Sequence, residues 1–158
     1  KRGAKYTRNS VHRILKWDKR PNHQNVGGYK VSPDNSNCPV FVTYKKGESI
    51  SDTTKYEDRF INPSHLIYMS KSRRNLHSPD VKAMRNHVAL KMRMPFFLKK
   101  SDDEGQDYYY LGELTALEQK FENTTMPDKD GQDISVVKME YLLDREIDFR
   151  LYNYITEA

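Results

Sequence analysis

Residues 92–114 constrain the fold more than any other stretch. "MRMPFFLKK" (92–100) and "DYYYLGEL" (107–114) are rich in apolar and aromatic residues, and "SDDEGQ" between them is polar, acidic and carries Gly105. Two β-favouring runs joined by a short turn of this kind predict an antiparallel hairpin. The rest of the chain supplies partners for it. "PVFVTY" (39–44) is β-branched and aromatic and reads as a buried strand, and "DISVVKMEYLL" (133–143), after the turn "PDKDGQ", reads as another. Leu66–Ser70 is expected to be extended, a further strand is expected around Leu117–Asn123, and Gly27-Gly28 precede a brief extended piece at Tyr29–Val31.

Helical signals are fewer. Thr7 is placed to cap a short helix, with Ser10 three positions on, Val11, Ile14 and Leu15 on one face, and Trp17 at its end. Ser78-Pro79-Asp80 combines a cap, a proline at the first helical position and a first-turn acid, which predicts a helix over Pro79–His87. "DFRLYNYI" (148–155) reads as a short closing helix. Several strands, short turns and two or three small helices predict an α+β domain built on a curled mixed sheet or β-barrel. At 158 residues the chain fits one domain, residues 1–158, without internal repeat or low-complexity linker. It begins at Lys1 without a methionine, which we read as a domain cut from a longer protein.

Charge divides the chain. Residues 1–100 hold 22 Lys and Arg against 7 Asp and Glu, whereas residues 101–158 hold 5 against 15. The first part is the candidate anion-binding face, since clustered cations release counterions from a nucleic acid and bind it without reading its sequence. The competing reading is a solvated surface whose halves neutralise each other. No apolar run approaches the length of a membrane helix, and a lone cysteine, Cys38, without a signal peptide fits the reducing cytoplasm.

Catalytic patterns are scarce. The five histidines lack metal-ligand spacing, one cysteine precludes a cysteine-rich zinc site, and the seven glycines form no phosphate-binding run, so no metal or cofactor is expected. A metal-dependent nuclease centre could be drawn from Asp80-Val81-Lys82 or from Asp107 with Glu118 and Lys120. A helix cap and a solvated face explain the same residues. Aromatic rings beside cations are more telling: Tyr44-Lys45-Lys46, Lys55-Tyr56, and Tyr68 ahead of Lys71, Arg73 and Arg74. Rings stack on bases while cations hold phosphates, so Lys45, Lys46, Lys71, Arg73 and Arg74 are the candidate phosphate contacts, the last three just before a helix N-terminus. The structural alternative is ordinary strand tyrosine, and it is the better reading of Tyr108–Tyr110.

In order, "FVTYKKGESISDTTKYEDRFINPSHLIYMSKSRRNLHSPDV" and "PFFLKKSDDEGQDYYYLGEL" resemble the C-terminal domain of bacterial fusion proteins that join a phospholipase-D-type nuclease to a superfamily-two helicase, as in SauUSI-type modification-dependent (type IV) restriction enzymes. The resemblance runs from about Tyr6 to Ile155. It implies a non-catalytic reader of 5-methylcytosine or 5-hydroxymethylcytosine in duplex DNA, with nuclease and helicase domains as partners in the same polypeptide. Readers of the SRA and PUA-like type are curled barrels that often flip the base and stack it between rings. On that expectation Tyr56 and Tyr68 stack the base, Asp58 accepts from its N4 amine, Phe60 or Met69 walls its C5 substituent, and Ser70 borders the pocket. Two other readings stay open: a protein-interaction domain docking a nuclease or helicase through acidic residues 101–158, and an autonomous nuclease.

Overall fold

The computed structural model describes residues 2–7, 10, 11, 15, 28–45, 58–101 and 105–157, with Lys45 described in its backbone only. Among them are eight strands: β1 (Lys5–Tyr6), β2 (Val40–Lys45), β3 (Arg59–Asn62), β4 (His65–Met69), β5 (Pro95–Ser101), β6 (Tyr108–Ala116), β7 (Glu122–Pro127) and β8 (Asp133–Leu143). Two α-helices accompany them, α1 (Pro79–Arg85) and α2 (Phe149–Thr156). The sheet runs β2-β5-β6-β8-β4-β3, with β1 added to β6 and β7 added to β8. Only β2 and β5 pair in parallel among the described strands, which requires the long crossover through β3, β4 and α1 between them.

The predicted hairpin is β5–β6, and its irregularity curls the sheet. Phe97 faces Tyr110 but Pro95 faces Glu113, so β6 carries one more residue than β5 over this stretch. Gly112, at φ +109°, lies in the bulge and takes a conformation that residues with a Cβ rarely adopt. Beyond it β6 turns from β5 to β8, pairing through Leu114–Ala116. The 11-residue β8 is the spine: it pairs with β7 over Asp133–Lys138, with β4 over Lys138–Leu142 and with β6 over Tyr141–Leu143. The result is a curled mixed half-barrel flanked by two helices.

Strand alternation places the core. Phe96 and Leu98 enter the main interior with Leu66, Met94, Met139 and Tyr141, and α1 contributes Val81 and Met84, all fully buried. Phe97 points the other way and joins Val11, Phe41 and Tyr108 in a smaller cluster on the opposite face. Both faces of this part of the sheet are thus covered, which is why β5 reads as continuously apolar rather than alternating.

Several expectations need correction. The Ser78 hydroxyl does not cap α1; it accepts from the Asn75 N–H at 3.0 Å, and α1 ends at Arg85. The strand expected over Leu117–Asn123 is a 3-10 turn at Glu118–Lys120 followed by β7, because "EQK" offers no apolar face and Lys120 N–H bonds back to the Leu117 carbonyl at 2.8 Å. Strands β1 and β3 were not expected from sequence and exist through pairing with Tyr108–Tyr109 and Leu66–Ile67. Thr7 does cap as read: its hydroxyl accepts from Ser10 N–H at 3.1 Å and Ser10 Oγ accepts from Thr7 N–H at 3.0 Å. Trp17 and the acidic turn Asp102-Asp103-Glu104 lie outside the described residues.

The loop before β2 is tied by one carboxylate. Asp34 Oδ1 accepts from the Ser36 hydroxyl at 2.7 Å, the Ser32 hydroxyl at 2.8 Å and the Ser36 N–H at 3.0 Å. The Ser36 and Ser32 bonds hold its pKa below the usual carboxylate value. A depressed pKa means that the stabilisation is complete above the unfolded value and is lost as pH falls through the folded one. NMR titration should therefore give Asp34 a midpoint below that of a free aspartate, and Ser36→Ala should raise it; an unshifted wild-type midpoint would show that the bonds do not persist in solution.

Candidate nucleic-acid interface

The connection from β4 to β5, residues 70–94, holds seven Lys and Arg and one acid, Asp80. Ser70 begins it by prolonging the sheet, since its N–H donates to the Val137 carbonyl at 3.0 Å and its Oγ accepts from Val137 N–H at 2.8 Å. Tyr29 then fixes the start of the basic run. Its hydroxyl accepts from Lys71 N–H at 3.1 Å and donates to Asp80 Oδ2 at 2.8 Å, and the Lys71 ammonium sits 4.7 Å from its ring centroid. Burial pushes the Tyr29 phenol well above its ordinary value, and desolvation lowers the Lys71 ammonium against the opposing pull of Asp80.

The same carboxylate takes Arg74, whose Nε lies 3.0 Å from Asp80 Oδ2 and whose Nη1 donates to the Ser72 carbonyl at 3.0 Å. Of the five cations expected on phosphates, the three in this run are Lys71, Arg73 and Arg74, and Lys71 and Arg74 are thus drawn into the Asp80–Tyr29 cluster. Arg73 alone is exposed, its φ of +59° turning it outward, with no hydrogen bond or ion pair to any described residue. Lys82, Lys91 and Arg93 are the other exposed cations of the connection. Lys45 closes β2 opposite Ser101, and Lys46 lies outside the described residues.

Of the expected base-pocket residues that the structure describes, Asp58 and Met69 are half-buried and Phe60, Tyr68 and Ser70 are buried. Tyr56 lies outside the described residues. Asp58 accepts from the Met69 N–H at 3.0 Å, and its charge, after burial, raises the nearby Tyr68 phenol. Tyr68 is 3% exposed, edge-on to Tyr29 at 6.0 Å, with its hydroxyl against Gly28, so its ring presents no face to a base in this conformation. Phe60 is likewise interior, packed on Tyr44 at 5.8 Å, Phe96 at 6.1 Å and Tyr152 at 5.8 Å. Met69 is half-buried and Ser70 serves the sheet. The structure therefore gathers Asp58, Tyr68 and Met69 while sending Phe60 and Ser70 to structural duties.

Residues that sequence reading passed over form a cleft on the opposite face of β5–β6. It encloses about 220 Å3 between Val11, Leu15 and Pro95, the rings of Tyr6, Phe97 and Tyr110, and Arg93. Arg93 binds Glu113 through Nη2 at 3.0 Å and Nε at 3.4 Å, and the Tyr110 hydroxyl donates to Glu113 Oε2 at 3.0 Å. Glu113 accordingly raises the pKa of Arg93, and burial followed by Glu113 raises that of Tyr110. The hairpin itself was the available signal, because it brings Arg93 and Glu113 to the same end, but the bulge that sets their register is invisible in a strand pattern.

Among the described residues no three His, Cys, Asp or Glu side chains cluster as metal ligands, and no helix is long and apolar enough to cross a membrane. Of the groups considered for a nuclease, Asp80 is held by Tyr29 and Arg74, and Glu118 and Lys120 stand exposed on the 3-10 turn.

A family model described as "Domain of unknown function (DUF3427)" matches residues 1–155. No curated protein matches the sequence. A solved chain comprising the sulfur binding domain and SRA domain of ScoMcrA, complexed with phosphorothioated DNA, aligns with a TM-score of 0.57 at 9% identity, covering 99% of this chain and 45% of that one. The DNA modification-dependent restriction endonuclease AspBHI aligns with a TM-score of 0.51 at 12% identity, covering 80% of this chain and 66% of that one. This chain thus spans less than half of the ScoMcrA chain. Such identities establish likeness of fold: the half-barrel with its two helices is SRA-like.

Proposed function

The chain belongs to the DUF3427 family, and from that premise we propose that it is the modified-DNA recognition domain of a modification-dependent restriction system, reading 5-methylcytosine or 5-hydroxymethylcytosine in duplex DNA. The observation that carries the proposal is the SRA-like half-barrel, shared with a chain complexed with phosphorothioated DNA and with a modification-dependent endonuclease. The basic β4–β5 connection supports a duplex partner, since its exposed cations suit phosphates. Nuclease and helicase domains in the same polypeptide follow from the sequence resemblance and belong to this proposal.

Fluorescence anisotropy with matched duplexes carrying cytosine, 5-methylcytosine, 5-hydroxymethylcytosine or a phosphorothioate tests it. A modified-cytosine duplex should bind at least about tenfold tighter than the unmodified one, the equivalent of about 1.4 kcal/mol. Equal affinity for all four would sink the proposal and favour a protein-docking role, and preference for the phosphorothioate alone would move the target from base to backbone.

Arg73 supplies a second expected outcome. Arg73→Gly suits the φ of +59° and removes an outward charge, so the fold should be unaffected. Binding to modified and unmodified duplexes should weaken alike, and the slope of log affinity against log salt should shrink by about one. An unchanged slope would place the phosphates elsewhere.

A further inference from the structure

We infer that the aromatic cleft beside Arg93 is a binding site for a 5-substituted cytosine turned out of the duplex. This rests on the recognition role proposed above and assigns that role to residues outside the Asp58–Tyr68–Met69 group. Size comes first. At about 220 Å3, well above the roughly 10–15 Å3 that one water needs, the cleft has room on the scale of a single nucleobase. The lining matches such a ring. Tyr6 and Tyr110 are half-buried and give aromatic surface on which a base can stack, with Phe97, buried and stacked on Phe41, as the floor beneath them. Val11, Leu15 and Pro95 give the C5 substituent an apolar surround.

The polar edge selects the base. Arg93 uses Nε and Nη2 on Glu113, and its Nη1 makes no hydrogen bond to any described residue. The Glu113 carboxylate offers about four acceptor sites, of which Arg93 and Tyr110 use three. Nη2 keeps a second N–H, so the donors of Nη2 and then Nη1 follow on beside the remaining acceptor site of Glu113. Cytosine presents the complement, with N3 and O2 accepting from Arg93 while the N4 amine donates to Glu113. Thymine presents O4 toward the carboxylate and N3–H toward the guanidinium, so it would set acceptor against acceptor and donor against donor. The Arg93 side chain is 62% exposed, so its guanidinium is within reach from solvent.

Two measurements on the full chain decide the matter. NMR titration with 5-methyl-2′-deoxycytidine, up to about 10 mM so that millimolar affinity registers, should shift the ring protons of Tyr6, Phe97 and Tyr110 saturably, and thymidine should not. In duplex binding, Arg93→Gln and Leu15→Trp, each checked for native circular dichroism, should bring the methylated duplex to within about twofold of the unmodified one. Shifted rings without any duplex preference would support the site and overturn the recognition role. Unmoved rings, or a full methyl preference in both variants, would overturn the site while leaving the recognition role intact. Loss of preference in Asp58→Asn with preference kept in the cleft variants would likewise overturn it and move the pocket to the end of β4.

Discussion

Replacing Gly112 by valine should lower the melting temperature by about 10 °C, equivalent to about 3 kcal/mol for a domain of this size. At φ +109° a β-branched residue is strained by about 1–3 kcal/mol. Any Cβ there would also run into the Asp144 carboxylate and the Arg2 guanidinium. Those two groups form an ion pair at 2.9 Å, and Arg2 Nη1 further donates to the Leu111 carbonyl at 2.8 Å, so the substitution also breaks the clasp over the bulge. The pair itself is partly exposed and adds at most about 1 kcal/mol. Scanning calorimetry checks the expectation, and a melting temperature within a degree or two of wild type would show that the bulge relaxes without glycine.

His87 carries the other large effect. It is 4% exposed, and its ring joins two backbone groups: Nδ1 lies 2.9 Å from the Met92 carbonyl and Nε2 lies 3.0 Å from the Ala116 N–H. A carbonyl only accepts and an N–H only donates, so the ring is the neutral tautomer protonated on Nδ1. His87→Ala strips both partners from buried groups, at about 1–3 kcal/mol each, and leaves a cavity, for a total of about 4 kcal/mol. His87→Gln should recover part of this, because an amide also carries one donor and one acceptor side. Denaturant unfolding measures the loss, and hydrogen exchange at Ala116 should accelerate in the alanine variant. Slow exchange there would mean that another acceptor takes over.

The two sites differ in how far the sequence discloses them. Gly112 sits in "YYYLGEL", which pattern alone reads as an uninterrupted strand, although a glycine inside a strand is a recognised sign of a bulge. His87 was visible only as a histidine without metal spacing, since its partners, Met92 and Ala116, are fixed by where β5 and β6 lie. Asp80 is intermediate: a first-turn acid from its position, it turned out to gather Tyr29 and Arg74, one of them 51 residues away. That capture pairs Arg74 with a carboxylate and, with Lys71 over the Tyr29 ring, leaves Arg73 as the outward charge of the run 71–74.

Local chemistry was enough for the elements whose signals lie within a few residues. The Thr7–Ser10 cap, the proline-led helix α1, the β5–β6 hairpin and the 11-residue β8 all rest on side-chain periodicity and turn residues acting over short range. Pairing was a different matter. The parallel match of β2 with β5, the hand-over of β6 from β5 to β8, and the addition of β1 and β3 depend on which distant backbones remain to be satisfied. Burial of Tyr68 and Phe60, and exposure of the Arg93 cleft, follow from those pairings, because neighbouring residues of a strand face opposite ways and only the completed sheet decides which face becomes interior.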